Sequence, residues 1–420
     1  MKDEASGDIV QCVQYFLLGR SLSGMRLIFF VGKGGVGKTT AAASTGLLSA
    51  REGHRTAIVS LDLAHSLGDS FDVDRAACGL DEGQPVEVHE NLWVQELNLQ
   101  REMHTHWDDI YAYIADVLEM AGLDEIVAEE IAHLPGMAEA VGLFYVNKYY
   151  QEDSFDVVLL DCAPTGESLR FLSMPTALNW YMNKVFTVQR NSFAVTRPFA
   201  SAFTDIPLPT DEYFETIKKI YEKLQGVGDL LEDEDVTSAR LVTKPEKMVV
   251  RETQRAFMYL SLYGINVDLV VANGVYPENL QDGYLSGWKE TQHKWLKQLN
   301  DSFAPVPVRN VELFGDQVVG QARLESFGEK VYEDEDPAGF FYSGSPCWFE
   351  KEDGRYWVSM KLPFADKEEL DLRCSEDQLI VSVGDFKRHL TLPRSIAHLE
   401  PHGARMDGDT LHVEFGGDER

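Results

Sequence analysis

The run Gly32-Lys33-Gly34-Gly35-Val36-Gly37-Lys38-Thr39-Thr40 sets glycines, lysines and hydroxyls at the spacing G-x-x-x-x-G-K-[ST]. That spacing suits phosphate. Glycines let the backbone curl until its N–H groups converge on phosphate oxygens. Gly34, Gly35, Val36 and Gly37 would supply that cradle, and Lys38, Thr39 and Thr40 would open the next helix. A helix N-terminus there adds a positive dipole end. Lys38 is expected to reach the β- and γ-phosphates, and the Thr39 hydroxyl to bind Mg2+. The bland alternative is a glycine-rich turn that binds nothing. Lys33 is a second cation in the loop. Beside a triphosphate it would stabilise transition-state charge; otherwise it is a solvated surface lysine. Two acids complete the set. Asp62 can orient an attacking water or accept its proton, or it can cap the next helix. Asp161 is expected to hold Mg2+, directly or through water. Thr39, Asp62 and Asp161 are the candidate metal residues.

These residues need a frame. Leu27-Ile28-Phe29-Phe30-Val31 reads as a buried strand before the loop, and Ala41 to Leu48 as a helix after it. Thr56 to Leu61 reads as a second strand, ending at Asp62. Phe155 to Asp161 is a continuous apolar run ending in an acid, which suits a parallel sheet covered on both faces. Acids at the carboxyl ends of parallel strands lie where such sheets bind ligands. Further strands are expected at 91–97, 239–243 and 266–272, and helices at 177–182, 213–224 and after Pro245-Glu246. Residues 101–151 carry apolar side chains at helical spacing, interrupted at Leu134-Pro135-Gly136-Met137.

With 420 residues, 44% of them hydrophobic, the chain can build more than one core. A net charge of −31 argues against nucleic acid, whose phosphates need Lys and Arg. The five cysteines form no C-x-x-C pair, and no run reaches the ~20 apolar residues of a membrane span. A cytoplasmic protein is expected. Residues 1–24 read as an N-terminal extension, a tag-like scar or a misplaced start. Residues 25–332 read as the nucleotide domain and 333–339 as an acidic linker. Beyond it the pattern changes to short alternating strands, predicting an independently folding antiparallel β-sandwich over 340–420.

The loop with its second-position lysine resembles the deviant P-loop of the ATPases that include nitrogenase iron protein. The fuller set is similar to the ArsA-like anion-transporting and GET-pathway ATPases. It comprises the loop, Asp62-x-Ala64-His65-Ser66 as switch I and Asp161-x-Ala163-Pro164-Thr165-Gly166 as switch II. Leu134-Pro135-Gly136-Met137, Val242-Thr243-Lys244-Pro245-Glu246 and Glu252-Thr253-Gln254-Arg255 also look like family segments. The last domain is similar to the α-crystallin fold. The resemblance implies an α/β P-loop fold with a mostly parallel sheet and a helical client-binding subdomain near 101–150 and 172–230. It implies ATP and Mg2+ as cofactors and a homodimer in which Lys33 crosses to the partner's nucleotide. Asn273, Leu313 and Phe314 would contact adenine. The expected partners are a hydrophobic client, such as the transmembrane segment of a tail-anchored protein, and a membrane receptor. Switch I carries Leu63 where the family has Pro, and switch II carries Glu167 where it has His. The paired cysteines that hold zinc in the targeting factor, and the clustered cysteines of an arsenite site, have no counterpart. Zinc is therefore not expected, and arsenite efflux is disfavoured. Two other readings compete with an ATP-driven client switch. One is a holdase whose sandwich binds clients while ATP sets its conformation; the other is a partition-type ATPase.

Overall fold

A computed structural model describes residues 24–62, 66–97, 137–163, 168–182, 186, 211–279, 283, 285–352, 355–375, 378–393 and 395–416. The expected extension 1–24, apart from Gly24, lies outside these residues. So do Leu63 to His65 of switch I, Pro164 to Glu167 of switch II, and most of the expected client-binding subdomain (101–136 and 187–210).

Eight strands form the principal sheet. They are β1 (Arg26–Val31), β2 (Thr56–Ser60), β3 (Val86–His89), β4 (Leu92–Glu96), β5 (Val157–Asp161), β6 (Thr237–Thr243), β7 (Val267–Val275) and β8 (Val308–Glu312). Their spatial order is β3-β4-β2-β5-β1-β6-β7-β8. All neighbours pair in parallel except β3 and β4. Every residue of β1, β2, β5 and β6 is buried. Continuous apolar strands of this kind need cover on both faces, and two apolar clusters supply it, one on each side. The edge strand β3 escaped the sequence reading because Val86-Glu87-Val88-His89 is short and only half-buried.

The helices used below are α1 (Lys38–Arg51), α2 (Met137–Gln151), α3 (Met174–Tyr181), α4 (Asp211–Leu224), α5 (Val227–Glu232), α6 (Lys247–Leu262), α7 (Ser286–Phe303) and α8 (Gln321–Tyr332). The sequence reading stopped short of α7 and α8. Their exposed faces are strongly polar, so only a few core contacts, such as Trp295 and Leu299 in α7 and Leu324 and Phe327 in α8, mark them.

The segment 333–339 is docked rather than loose. Arg26 and Arg240, both buried, share Asp268 at 3.1 and 3.4 Å. Their remaining donors reach the carbonyls of Pro337, Ala338 and Gly339. Arg26 also lies 3.6 Å from the Phe340 ring centroid. Two guanidinium groups on one carboxylate leave excess buried charge, and backbone carbonyls answer it as acceptors.

The C-terminal sandwich packs a four-stranded sheet, β14-β15-β10-β9, with a three-stranded one, β11-β12-β13. The strands are β9 (Cys347–Glu352), β10 (Arg355–Lys361), β11 (Leu370–Ser375), β12 (Gln378–Val383), β13 (Phe386–Thr391), β14 (Pro401–Asp407) and β15 (Thr410–Phe415). In β12 and β15 every second residue is buried, the signature of a strand with one face on a core. The sandwich packs directly against the body built on the large sheet. Its apolar interior runs into the core on one face of the large sheet. Phe386 stacks on Tyr259 of α6, with ring centroids 3.6 Å apart. Phe364 meets Phe257 and Phe303. Arg388 donates to the Leu262 carbonyl at 3.0 Å and pairs with Glu232 at 2.9 Å.

Candidate nucleotide site

The strand order brings the chemistry to one edge. The loop leaves β1 at the centre of the sheet. Asp161 ends β5 on one side of it, and Asp62 follows β2 beyond that. Parallel register puts Phe30 and Ser60 opposite Asp161. On the other side, Asn273 lies in β7 and Leu313 and Phe314 follow β8. The sheet thus sets Asn273, Leu313 and Phe314 on one side of the loop and Asp161 and Asp62 on the other.

Two glycines are required by packing. A Cβ on Gly32 would sit 2.2 Å from the Val242 carbonyl oxygen. Gly37 caps α1 in the left-handed region (φ 100°), and a Cβ there would meet the Asn273 amide at 2.5 Å. No side chain other than hydrogen satisfies both demands at Gly37. The Asn273 amide donates to the Val36 carbonyl at 2.8 Å, tying β7 to the loop. Gly34 and Gly35 are exposed along the rim, and Val36 is buried beneath it.

Lys38 is buried, with Nζ 3.4 Å from the Lys33 carbonyl. Its ammonium therefore lies inside the loop. Lys33 points elsewhere: its Nζ is 3.4 Å from Glu252 of α6, and its side chain is 38% exposed. Thr39 Oγ1 lies 3.4 Å from Oγ of Ser66, the last residue of the expected switch I. Thr40 is half-buried on the first turn of α1.

Asp161 is the unusual group. It is fully buried, and neither carboxylate oxygen closes a hydrogen bond. Burial pushes its carboxyl up to about 7. The nearby Thr39 hydroxyl and Lys38 oppose that shift; Asp62 and Glu96 reinforce it. A buried acceptor left unsatisfied costs free energy, so its presence calls for a partner. A divalent cation bonded to Thr39 and Asp161, with Asp62 beside them, fits this donor set: hard oxygens, a preformed negative charge, and a neighbouring lysine for phosphate. Asp62 is half-buried, and its backbone N–H donates to Ser60 Oγ at 3.3 Å.

The sequence reading missed three supporting residues. Glu96 ends β4, accepts from the Gly68 N–H at 2.9 Å and pairs with Arg75, fixing the turn after switch I. It obeys the same strand-then-acid rule that marked Asp161. Glu252, within the segment Glu252-Thr253-Gln254-Arg255, has no individual signal in the sequence, yet it holds Lys33 at 3.4 Å. Gln292 of α7 is buried; its amide accepts from the Tyr276 N–H at 2.9 Å and donates to the Gly274 carbonyl at 3.1 Å. It braces the chain immediately after Asn273. A lone glutamine on a polar helix gives no signal in sequence. Leu313 is half-exposed beside this brace, whereas Phe314 turns inward to stack on Phe327 at 6.2 Å. Of the two residues expected at a base, Leu313 is thus on the surface and Phe314 is packed behind it.

A family model described as anion-transporting ATPase matches residues 25–333. A second, described as an HSP20-like domain found in ArsA, matches 353–415. A protein of Aquifex aeolicus named arsenical pump-driving ATPase 1 is 45% identical over 393 residues, covering 93% of this chain and 99% of that one. One of Chlorobaculum tepidum named arsenical pump-driving ATPase is 34% identical over 397 residues, covering 93% and 96%. ATPase get3 of Pyrenophora tritici-repentis is 28% identical over 318 residues, covering 73% and 91%. No helix among the described residues is long and apolar enough to cross a membrane.

Proposed function

The chain belongs to the anion-transporting ATPase family, and from that premise we propose that it works as a homodimeric, Mg2+-dependent ATP switch in the cytoplasm that binds or delivers hydrophobic clients. ATP hydrolysis is the family activity. The observation that carries the reading is the orphaned, fully buried Asp161 beside Thr39 and Lys38.

In this reading the backbone of Gly34 to Thr40 cradles the phosphates and Lys38 neutralises them from inside the loop. Thr39 and Asp161 would hold Mg2+, with Asp62 close enough to reach it through water. The ion, when bound, would spread the developing charge on the phosphate oxygens. Asp62 orients the attacking water and accepts its proton. Asn273, held against Val36, and Leu313 bound the base. Lys33, parked on Glu252 of its own chain, is free of the phosphates there and open to delivery across a dimer.

The names of two relatives speak of arsenicals. In this chain Cys78 follows switch I, Cys162 follows β5, Cys347 opens β9 and Cys374 lies in β11. Among the described residues, thiols so dispersed do not favour a soft-anion site. The shared core of sandwich and sheet favours one coupled body over a separate holdase. The deciding experiment is an Asp62→Asn variant: nucleotide binding stays and turnover falls by ~10²-fold or more, as expected for loss of the water-positioning base. Equal turnover in both proteins would refute the assignment. Clients co-purified with ATP-trapped Asp62→Asn would identify the cargo, and recovery of none would count against client delivery.

A further inference from the structure

Away from the nucleotide, a cavity of about 190 Å³ opens in the seam between the sandwich and the large sheet. Ser173, Thr176, Glu232, Lys387, Arg388 and His389 line it. The chain carries a net −31, yet two cationic residues, Lys387 and Arg388, and His389 line this cavity against one acid. The acid is already engaged, since Glu232 pairs with Arg388 at 2.9 Å. Arg388 is 5% exposed, also donates to the Leu262 carbonyl, and leaves its Nε without a hydrogen-bond partner. Burial, together with Lys387, holds His389 below the usual imidazole range. Its Nδ1 already lies 3.3 Å from the Gln378 amide oxygen, so its ring is engaged within the sandwich. Lys387 and Arg388 against Glu232 leave one net positive charge, ringed by the hydroxyls of Ser173 and Thr176.

We propose that this seam binds a small oxyanion. Oxygen acceptors with negative charge are what a lysine, a buried guanidinium with an unpartnered Nε and neighbouring hydroxyl residues recognise. The volume lies below the roughly 300 Å³ at which drug-sized pockets begin. It suits phosphate or a short dicarboxylate and excludes a nucleotide. The position gives the site a consequence. Lys387, Arg388 and His389 belong to β13, whereas Ser173 ends the turn Ser168–Ser173 that follows switch II directly. An anion held between them ties the sandwich to the segment leaving the nucleotide site.

The test uses the full chain with its nucleotide site filled by Mg·ADP, at constant ionic strength, titrated with inorganic phosphate and separately with succinate by calorimetry. Saturable millimolar binding of either is expected, and the two arms tell phosphate from carboxylate recognition. Lys387→Gln and Thr176→Val should each weaken it, the first by about tenfold for the loss of one charge-assisted bond. Both variants should keep wild-type ATP turnover and melting temperature. A Lys38→Ala variant should retain the phosphate titration, which separates this site from the P-loop whatever the outcome at the nucleotide. Absence of saturable binding of both anions would overturn the proposal. So would affinities unchanged by Lys387→Gln, or phosphate binding lost with Lys38 and kept without Lys387.

Discussion

Replacing Asp161 by asparagine should stabilise the nucleotide-free protein at high pH while abolishing its function. The carboxyl is fully buried and raised from 3.8 to about 7. Its folded pKa is above its unfolded one, so the fold prefers the protonated form. Stability from this group is complete below pH 3.8 and is lost as pH climbs to about 7. Three pKa units correspond to about 4 kcal/mol at alkaline pH. Much of that difference, roughly 2 kcal/mol, falls between pH 5 and pH 8. Asparagine keeps the shape and carries no charge to desolvate. Its amide needs partners of its own, which reduces the net gain by about 1 kcal/mol or more. The assay is urea unfolding of wild type and Asp161→Asn without nucleotide at pH 5 and pH 8. The variant's advantage should grow by roughly 2 kcal/mol across that interval. Mg·ATP should then stabilise the wild type and leave the variant's curve little changed. An advantage that is the same at both pH values would show that Asp161 is ionised without strain, and the metal-site argument built on its orphaned oxygens would fail.

Other expectations follow from the same geometry. Lys33→Ala should leave the fold intact and lower turnover by ~10²-fold or more, as removal of a transition-state cation does; wild-type turnover would refute delivery of this lysine to a partner's phosphates. Gln292→Leu strands the Gly274 carbonyl and Tyr276 N–H. It should raise KM for ATP about tenfold, with kcat changed less than about twofold, and a fall in kcat at unchanged KM would contradict a role in base binding. Phe386→Ala removes the stack on Tyr259 and should cost about 3 kcal/mol. Limited proteolysis should then release a fragment spanning the sandwich, whereas an unchanged digestion pattern would argue against a shared core.

The elements that carry the candidate site were legible in the sequence because their signals are local. Glycine spacing, a buried apolar run ending in Asp161 and a second strand ending at Asp62 are short-range patterns with one dominant physical reading each. The alternation of β12 and β15 revealed a sandwich for the same reason. Tertiary structure decided what lies far apart in the chain. Asn273 meets Val36 because β7 lies two places from β1 in the sheet, an order no local pattern encodes. Glu252 holds Lys33 and Gln292 braces Gly274 through helices whose faces are chosen by packing. The acidic stretch before the sandwich looked like a linker by composition, yet Arg26 and Arg240 bind the carbonyls that follow it. Side-chain identity fixes what a group can do. Which partner it meets depends on burying apolar surface over the whole chain, and that sum is settled only when every strand has its neighbour.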